Sequence, residues 1–357
     1  KNKTYSLLSV LLLEGIFFFN YTTPEFNVYI SQLPFWALAV LFCWRGVKKN
    51  NYQDWLLFGL FSGIGVLGHY LFLYLLAGLS VFLLYQIKIR KLNYKCFSSI
   101  IIFLLVIAPH FIWLIENNFI TFYYAFQRTG FEEINILNHF YHPLIFVGKQ
   151  IGILIPFLAL CFFLISNIKI KANFKDKTTL FLFIINFVPL ILIFLTSFIL
   201  GVKIRTMWMT PFYLFFGVLF IYLFQRKIDL NRINKFFYFL CLLFILSPSI
   251  YSYVSVSQSD KRTDFPGKEI AYLVQNKWNE NFNNDIKIVI GDEWYAGNLS
   301  YHLDSRPKWF LTLKDKASTL KNDEGVIYTG NPKILKNICP GVFGTIKPVG
   351  YCMLGQK

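Results

Sequence analysis

The sequence predicts a polytopic α-helical membrane protein of about nine spans with a small α/β domain at its carboxyl end. Three observations lead there. Of 357 residues, 55% are hydrophobic and only 15% charged, where a soluble domain has roughly 25% charged. That balance excludes a wholly cytosolic enzyme, a disordered chain and a fibrous one. Apolar runs of about 15 to 23 residues recur up to Val254, and about 20 such residues cross a bilayer. Beyond Val254 the runs stop and shorter, mixed helix and strand patterns begin.

Spans are predicted at 4–20, 29–44, 54–68, 70–87, 97–115, 144–166, 179–200, 206–224 and 235–254. Segment 54–86 reads as one long helix or two short ones, and charge decides between them. The flanking loops 45–49 and 88–95 are both rich in Lys and Arg. Positive loops belong on the cytoplasmic side, so the chain must cross an even number of times between them. Two helices turning at Gly68-His69-Tyr70 satisfy that requirement. The same alternation puts the amino terminus, 169–177 and 226–235 inside. It puts 20–28, 116–143, 201–205 and everything after Val254 outside. The expectation is a multi-pass protein of the inner (plasma) membrane with a periplasmic, extracytoplasmic carboxyl domain.

The formal charge of +16 is unevenly spread. Residues 1–254 hold 21 basic and 8 acidic side chains, and 255–357 hold 14 and 11. The excess therefore lies between spans, where it orients them and touches anionic membrane lipids. No basic, aromatic-interleaved groove of the nucleic-acid type is present, so no nucleic acid partner is expected. One outer loop, Gly201-Val202-Lys203-Ile204-Arg205, carries two cations against the positive-inside rule. A phosphate is the natural partner for them, since Arg binds it bidentately and Lys as a point charge. Snorkelling to outer headgroups is the alternative.

The chain divides into a transmembrane domain, 1–254, and an α/β domain, 255–357. Segment 264–281 reads as an amphipathic helix with Ile270, Leu273, Val274 and Trp278 on one face. Strands are expected at 286–290, 308–313, 324–328 and 349–353, with a short helix after Asn298. Asp292, Glu293 and Trp294 follow the first strand. Trp stacks on sugar faces and carboxylates accept from hydroxyls; a turn around a buried Trp is the other reading. Cys43, Cys96, Cys161 and Cys241 lie in or beside spans and act as small apolar residues. Cys339 and Cys352 lie in the outer domain, where an oxidising compartment permits a disulfide, two buried thiols being the alternative.

Glu14 sits inside an apolar run, and an intramembrane carboxylate is costly enough to be a functional candidate; pairing with a basic residue for packing is the other reading. The loop 116–143 holds Arg128, Glu132, Glu133, His139 and His142. His139 and His142 are spaced i, i+3, which suits metal ligation, but two ligands make no site and Pro143 follows them. A divalent metal is thus unsupported, and no cofactor is assigned. Phe122, Tyr123, Tyr124 and Phe126 in the same loop point to a helix lying at the bilayer interface.

Four stretches carry a family resemblance. They are Thr23-Pro24-Glu25-Phe26-Asn27 with Leu33-Pro34-Phe35-Trp36; Trp55, Gly59 and Gly63 leading to Gly68-His69-Tyr70; Trp208 with Pro211; and 291–301 with Ser305-Arg306-Pro307. Together they resemble the membrane glycosyltransferases of the GT-C type, in the family 39-related branch of protein mannosyltransferases and aminoarabinose transferases. The resemblance implies transfer of a sugar, with inversion, from a polyprenyl-phosphate donor to a lipid, glycan or protein acceptor on the outer face. It implies that Glu25 orients the acceptor or assists the base, against the plain reading of a solvated loop Glu. Asn27 would hydrogen-bond a sugar. His69 stands where the family has Lys and would donate to the phosphate when protonated, or serve as a structural His. Tyr70 is a sugar contact or an interfacial aromatic. Family members begin with a span and a large acidic outer loop, so the resemblance puts the main catalytic base upstream of Lys1. Two other classes stay open: a transporter or flippase of lipid-linked sugar, which calls for deep charges and related halves, and a non-catalytic membrane scaffold.

Overall fold

A computed structural model describes residues 3–129, 135–166, 172–258, 264–311, 324–346 and 349–356. Glu132, Glu133 and the end of the expected strand 308–313 lie outside the described residues. The chain forms two compact units, Lys1–Ser255 and Val256–Lys357.

The first unit is helical. Its helices are α1 (Lys3–Leu11), α2 (Val28–Ser31), α3 (Leu33–Lys49), α4 (Tyr52–Gly68), α5 (Phe72–Lys88), α6 (Ser98–Glu116), α7 (Ile120–Thr129), α8 (Asn138–Leu164), α9 (Lys177–Leu200), α10 (Phe216–Phe224) and α11 (Ile233–Ser257). Among the described residues, five helical stretches are long and apolar enough to cross a membrane: Val28–Lys49, Tyr94–Glu116, Asn138–Leu164, Lys177–Leu200 and Ile233–Ser257. A sixth exists if Thr206–Tyr213 and α10, bent by 43°, form one broken span. α4 and α5 have 17 residues each, on the order of 25 Å, and fall short of a ~20-residue span.

The expected span 4–20 is not one helix. α1 stops at Leu11, and two 3-10 turns, Leu12–Gly15 and Phe17–Phe19, follow around an extended Ile16. Gly15 lies directly against the Phe157 backbone of α8, where a side chain has no room. Tertiary contact overrides apolar periodicity here. The hairpin at Gly68-His69-Tyr70 does form, with His69 extended between α4 and α5. Buried Gln32 holds that turn, donating from Nε2 to the Gly65 carbonyl at 3.1 Å and the His69 carbonyl at 2.7 Å.

Small residues let α4 approach its neighbours. A Cβ at Gly59 would strike the Ser99 carbonyl of α6, and one at Gly63 the Val106 side chain. Such close approach is how helices associate where lipid removes most of the hydrophobic drive. Asp54, fully buried, pairs with Arg45 at 2.8 Å and ties α4 to α3. Removing Arg45 strands the buried Asp54 carboxylate, at a cost of about 3–5 kcal/mol. Trp36, Trp55, Phe72, Phe82, Tyr213 and Phe236 fill the core.

The second unit holds α12 (Gly267–Asn281), β1 (Ile286–Ile290), α13 (Tyr295–His302), β2 (Lys308–Phe310), β3 (Gly325–Gly330), α14 (Pro332–Ile338), β4 (Val342–Ile346) and β5 (Val349–Leu354). The sheet order is β2-β1-β3-β5-β4, with β2, β1 and β3 parallel and β5 antiparallel to both β3 and β4. β4 was not anticipated: Val-Phe-Gly-Thr-Ile is short and interrupted by glycine. On α12 the buried face is Ala271, Val274 and Trp278, with Ile270 packed beside it, while Leu273 points outward at 53% exposure. The i, i+4 spacing from Ile270 through Val274 to Trp278 sets that face, and Leu273 falls off it. Trp278 donates its indole N–H to the Asn284 carbonyl at 2.6 Å. α13 begins at Tyr295, earlier than expected, because Asp292 caps it: Oδ1 accepts from Trp294 N at 2.9 Å and Tyr295 N at 3.0 Å. A disulfide joins Cys339, just after α14, to Cys352 in β5, with Cα atoms 5.7 Å apart.

Candidate functional site

The site grows from the turn after α9. Gly201 adopts the left-handed conformation (φ 63°) and ends the helix, as glycine does at this position without steric cost. His139 and His142 donate from Nδ1 to the Phe198 and Gly201 carbonyls at 2.9 and 3.1 Å. Their i, i+3 spacing thus serves orphan carbonyls at the α9 end. Among the described residues no cluster of three or more His, Cys, Asp and Glu stands close enough to hold a metal.

The segment 201–205 then runs past the end of α7, and the Lys203 amide donates to the Thr129 carbonyl at 3.2 Å. That link brings Arg128 and Arg205 to one cavity of about 790 Å³, within the usual size of a ligand pocket. Both guanidiniums and the Trp208 side chain are close enough to the Tyr29 phenol to act on it electrostatically. Arg128 also lies 5.8 Å from the centre of the Tyr124 ring. No carboxylate lines the cavity among the described residues. Two guanidiniums in a partly apolar recess are groups of the kind that bind a phosphate or carboxylate.

The α4–α5 turn supplies the opposite wall. Tyr70 Oη lies 2.7 Å from His110 Nε2 and 3.0 Å from Thr121 Oγ1, and its ring stacks on Phe122 at 5.5 Å. His69 accepts from the Leu71 amide through Nδ1 at 3.1 Å, so its neutral ring carries the proton on Nε2. Burial lowers its pKa below the ordinary value of 6.5. One of the two sequence readings had His69 donate when protonated; with Nδ1 accepting from Leu71, the neutral ring still offers an Nε2–H donor. Further out, Tyr74 Oη donates to Thr196 Oγ1 at 2.9 Å, while Leu71, Leu73, Ala77 and Leu192 make the lining apolar.

Glu14 opens onto a different cavity, of about 410 Å³, together with Asn20, Tyr21, Lys149 and Thr206. Asn20 donates from Nδ2 to Glu14 Oε2 at 3.2 Å. Arg205 faces one cavity and its chain neighbour Thr206 the other.

Of the residues nominated from sequence, His69, Tyr70 and Arg205 are brought together. Lys203 is exposed and outside the cavity lining. Glu25 is exposed, and its amide donates to the Thr22 carbonyl at 3.0 Å. Asn27 caps α2, its Oδ1 accepting from Tyr29 N at 3.0 Å and Ile30 N at 3.3 Å. In the second unit Asp292 is the cap of α13, Trp294 packs edge-on against Phe265 at 5.5 Å, and Glu293 is half-buried beside them. Arg128, His110, Thr121 and Trp208 were not singled out as site residues. The signal for Arg128 was present: it is the one basic residue in the expected outer loop 116–143, as anomalous there as Lys203 and Arg205.

No curated protein and no solved structure matches the chain. Residues 1–113, which reach from α1 through Glu14, Glu25, His69 and Tyr70 to His110, match the family model described as dolichyl-phosphate-mannose-protein mannosyltransferase, whose chemistry is glycosyl transfer from a lipid-linked sugar.

Proposed function

We propose that the helical unit moves a sugar from a polyprenyl-phosphate donor to a lipid, glycan or protein acceptor on the outer face of the inner membrane. In this reading the chain crosses about nine times, with short helices α4 and α5 as a paired crossing, the amino terminus cytoplasmic and the second unit extracytoplasmic. The observation that carries it is one cavity of about 790 Å³ lined at once by Arg128, Arg205, His69, Tyr70 and Trp208.

The acceptor hydroxyl oxygen attacks the anomeric carbon, and the bond from that carbon to the phosphate oxygen breaks with its electron pair going to the phosphate. Negative charge grows on the phosphate as the bond opens, and the two guanidiniums offset it, aided by the neutral His69 N–H. They act in a recess of apolar walls, where their field is less screened than in water. Tyr70 and Trp208 present aromatic surface to the sugar, with Asn27 and Lys203 at the rim. The hydroxyl proton goes to a carboxylate. Glu14, across the 205–206 segment, and Glu25, in the first outer loop, are the carboxylates of this chain assigned to the acceptor side.

The test is turnover by the full-length gene product in proteoliposomes, read as sugar release from polyprenyl-phosphate donors. Arg205→Ala and Arg128→Ala should each lower kcat/KM about 100-fold, the usual loss when a preorganised donor to a developing anion is removed. Unchanged turnover in both variants would sink the assignment.

A further inference from the structure

A cluster of lysines forms where α3 and α5 finish and α9 begins. Phe181 of α9 gathers the three helices there: its ring stacks on Trp44 of α3 at 4.8 Å and meets Phe82 of α5 edge-on at 4.9 Å. Each helix end then delivers a cation. Lys48, in the last turn of α3, lies over the Trp44 ring at 4.7 Å. α5 ends in a reversal at Arg90, which is left-handed (φ 54°). The Arg90 amide donates to the Ile87 carbonyl and the Lys91 amide to the Gln86 carbonyl, each at 2.9 Å. This paired ending turns the chain back across the helix tip and leaves Lys91 there. Lys177, the first residue of α9, donates from Nζ to the Val47 carbonyl at 3.4 Å. Lys48 and Lys91 are both close enough to Lys177 to act on it electrostatically. Two carboxylates in the adjoining turns have partners of their own. Asp54 pairs with Arg45 at 2.8 Å, and Asp176 accepts from the Tyr222 hydroxyl at 2.7 Å and the Thr179 amide at 2.8 Å.

A groove of about 430 Å³ starts beside this cluster and runs along α9. Lys177, Leu180, Ile184, Val188 and Ile191 follow i, i+3, i+7, i+11, i+14, one stripe of an α-helix, and the last four line the groove. Phe183 forms its side wall, stacked on Phe187 at 5.4 Å and edge-on to Phe174 at 4.8 Å. The lining is wholly apolar among the described residues, and Phe174 and Ile191 are 53% and 54% exposed. From Lys177 to Ile191 the stripe covers on the order of 21 Å, enough to follow one leaflet of a bilayer whose hydrocarbon is ~30 Å thick in all.

We infer that this is a binding site for an anionic phospholipid, with its phosphate among Lys48, Lys91 and Lys177 and one acyl chain along the α9 groove. In the proposed topology this end faces the cytoplasm, so the lipid belongs to the inner leaflet. Ammonium groups brought together repel one another, and a phosphate among them turns that repulsion into attraction. A soluble anion has nothing for the groove, and a zwitterionic lipid brings its own cation to the lysines. The site shares no residue with the Arg128–Arg205 cavity, and its occupant does not depend on the sugar-transfer reading.

The experiment is competition between phosphatidylglycerol and phosphatidylcholine for the full-length protein, with bound lipid counted by native mass spectrometry. The wild type should hold phosphatidylglycerol at least about 30-fold more tightly, since each lysine near a headgroup contributes roughly fivefold. Lys48→Gln/Lys91→Gln/Lys177→Gln should bring the two lipids to within about threefold. Arg226→Gln/Lys227→Gln/Lys235→Gln removes the same charge from the same expected side of the membrane and should leave the preference in place. Ile191→Trp, at an exposed position in the groove, should weaken dipalmitoyl phosphatidylglycerol about fivefold relative to its dihexanoyl analogue. Equal loss in the two triple variants would mean bulk attraction to basic loops rather than a site, and would overturn the inference. A Trp variant in which the long and short lipids keep their ratio would remove the groove from it. Tighter retention of undecaprenyl phosphate than of phosphatidylglycerol would make the site one for a carrier lipid and overturn it as well.

Discussion

The two units treat their polar and aromatic residues differently. In the second unit the nominated residues have local employment. Asp292 satisfies two amides at the start of α13, Trp294 packs on Phe265, and Cys339 is covalently tied to Cys352. In the helical unit Arg128, Arg205, His69 and Tyr70 come from three separate stretches and converge on one cavity. Convergence of cationic, imidazole and aromatic groups from distant sequence on one cavity points to a ligand. Local satisfaction points to architecture. Substitutions should therefore cost turnover in one unit and stability in the other.

The sharpest contrast comes from the double variant Arg128→Ala/Arg205→Ala. Its turnover should fall about 1,000-fold while its melting temperature stays near that of the wild type. A fall in stability matching the fall in turnover would erase the distinction. Next in size, Cys339→Ala/Cys352→Ala should cost the second unit about 3 kcal/mol, the usual worth of closing a loop of this length. Proteolysis of that unit should accelerate, with sugar release per folded molecule unchanged. Asp292→Ala should cost about 1 kcal/mol through loss of a cap, measured by denaturant unfolding. A turnover loss above about tenfold would instead move Asp292 into the chemistry.

The smallest effect is a pH slope at His69. Burial lowers its folded-state pKa below 6.5, so the unfolded chain takes up that proton first as pH falls. Stability should decline as pH drops below about 6.5 and be unaffected above it. His69→Gln should lose less stability than the wild type between pH 7.5 and 5.5, by thermal melting. Equal losses would show that the ring titrates as it does in water.

Much of the helical architecture could be read from charge and apolar run length. The α4–α5 hairpin followed from two basic loops that had to share a side, although neither helix reaches the length of a full span. The break after Leu11 could not be foreseen, because it depends on Gly15 meeting the backbone of α8. The site was half legible. Lys203 and Arg205 stood out as misplaced cations, but only a tertiary link between the Lys203 amide and the Thr129 carbonyl decides that Arg205 and Arg128 share the cavity. Arg128 was passed over because the aromatics around it read as an interfacial helix. On α12, Leu273 and Ile270 look equivalent in composition, and only the i, i+4 geometry separates the outward from the inward one.

The central claim is that the Arg128–Arg205 cavity holds the phosphate of a lipid-linked donor. The most direct test is the affinity of the full-length protein, in nanodiscs, for undecaprenyl phosphate against undecaprenol. The account predicts clear preference for the phosphate, at least about 100-fold for two charge-assisted guanidinium contacts, and loss of that preference in Arg128→Ala/Arg205→Ala. Equal binding of the two lipids, or a preference that survives the double substitution, would contradict it.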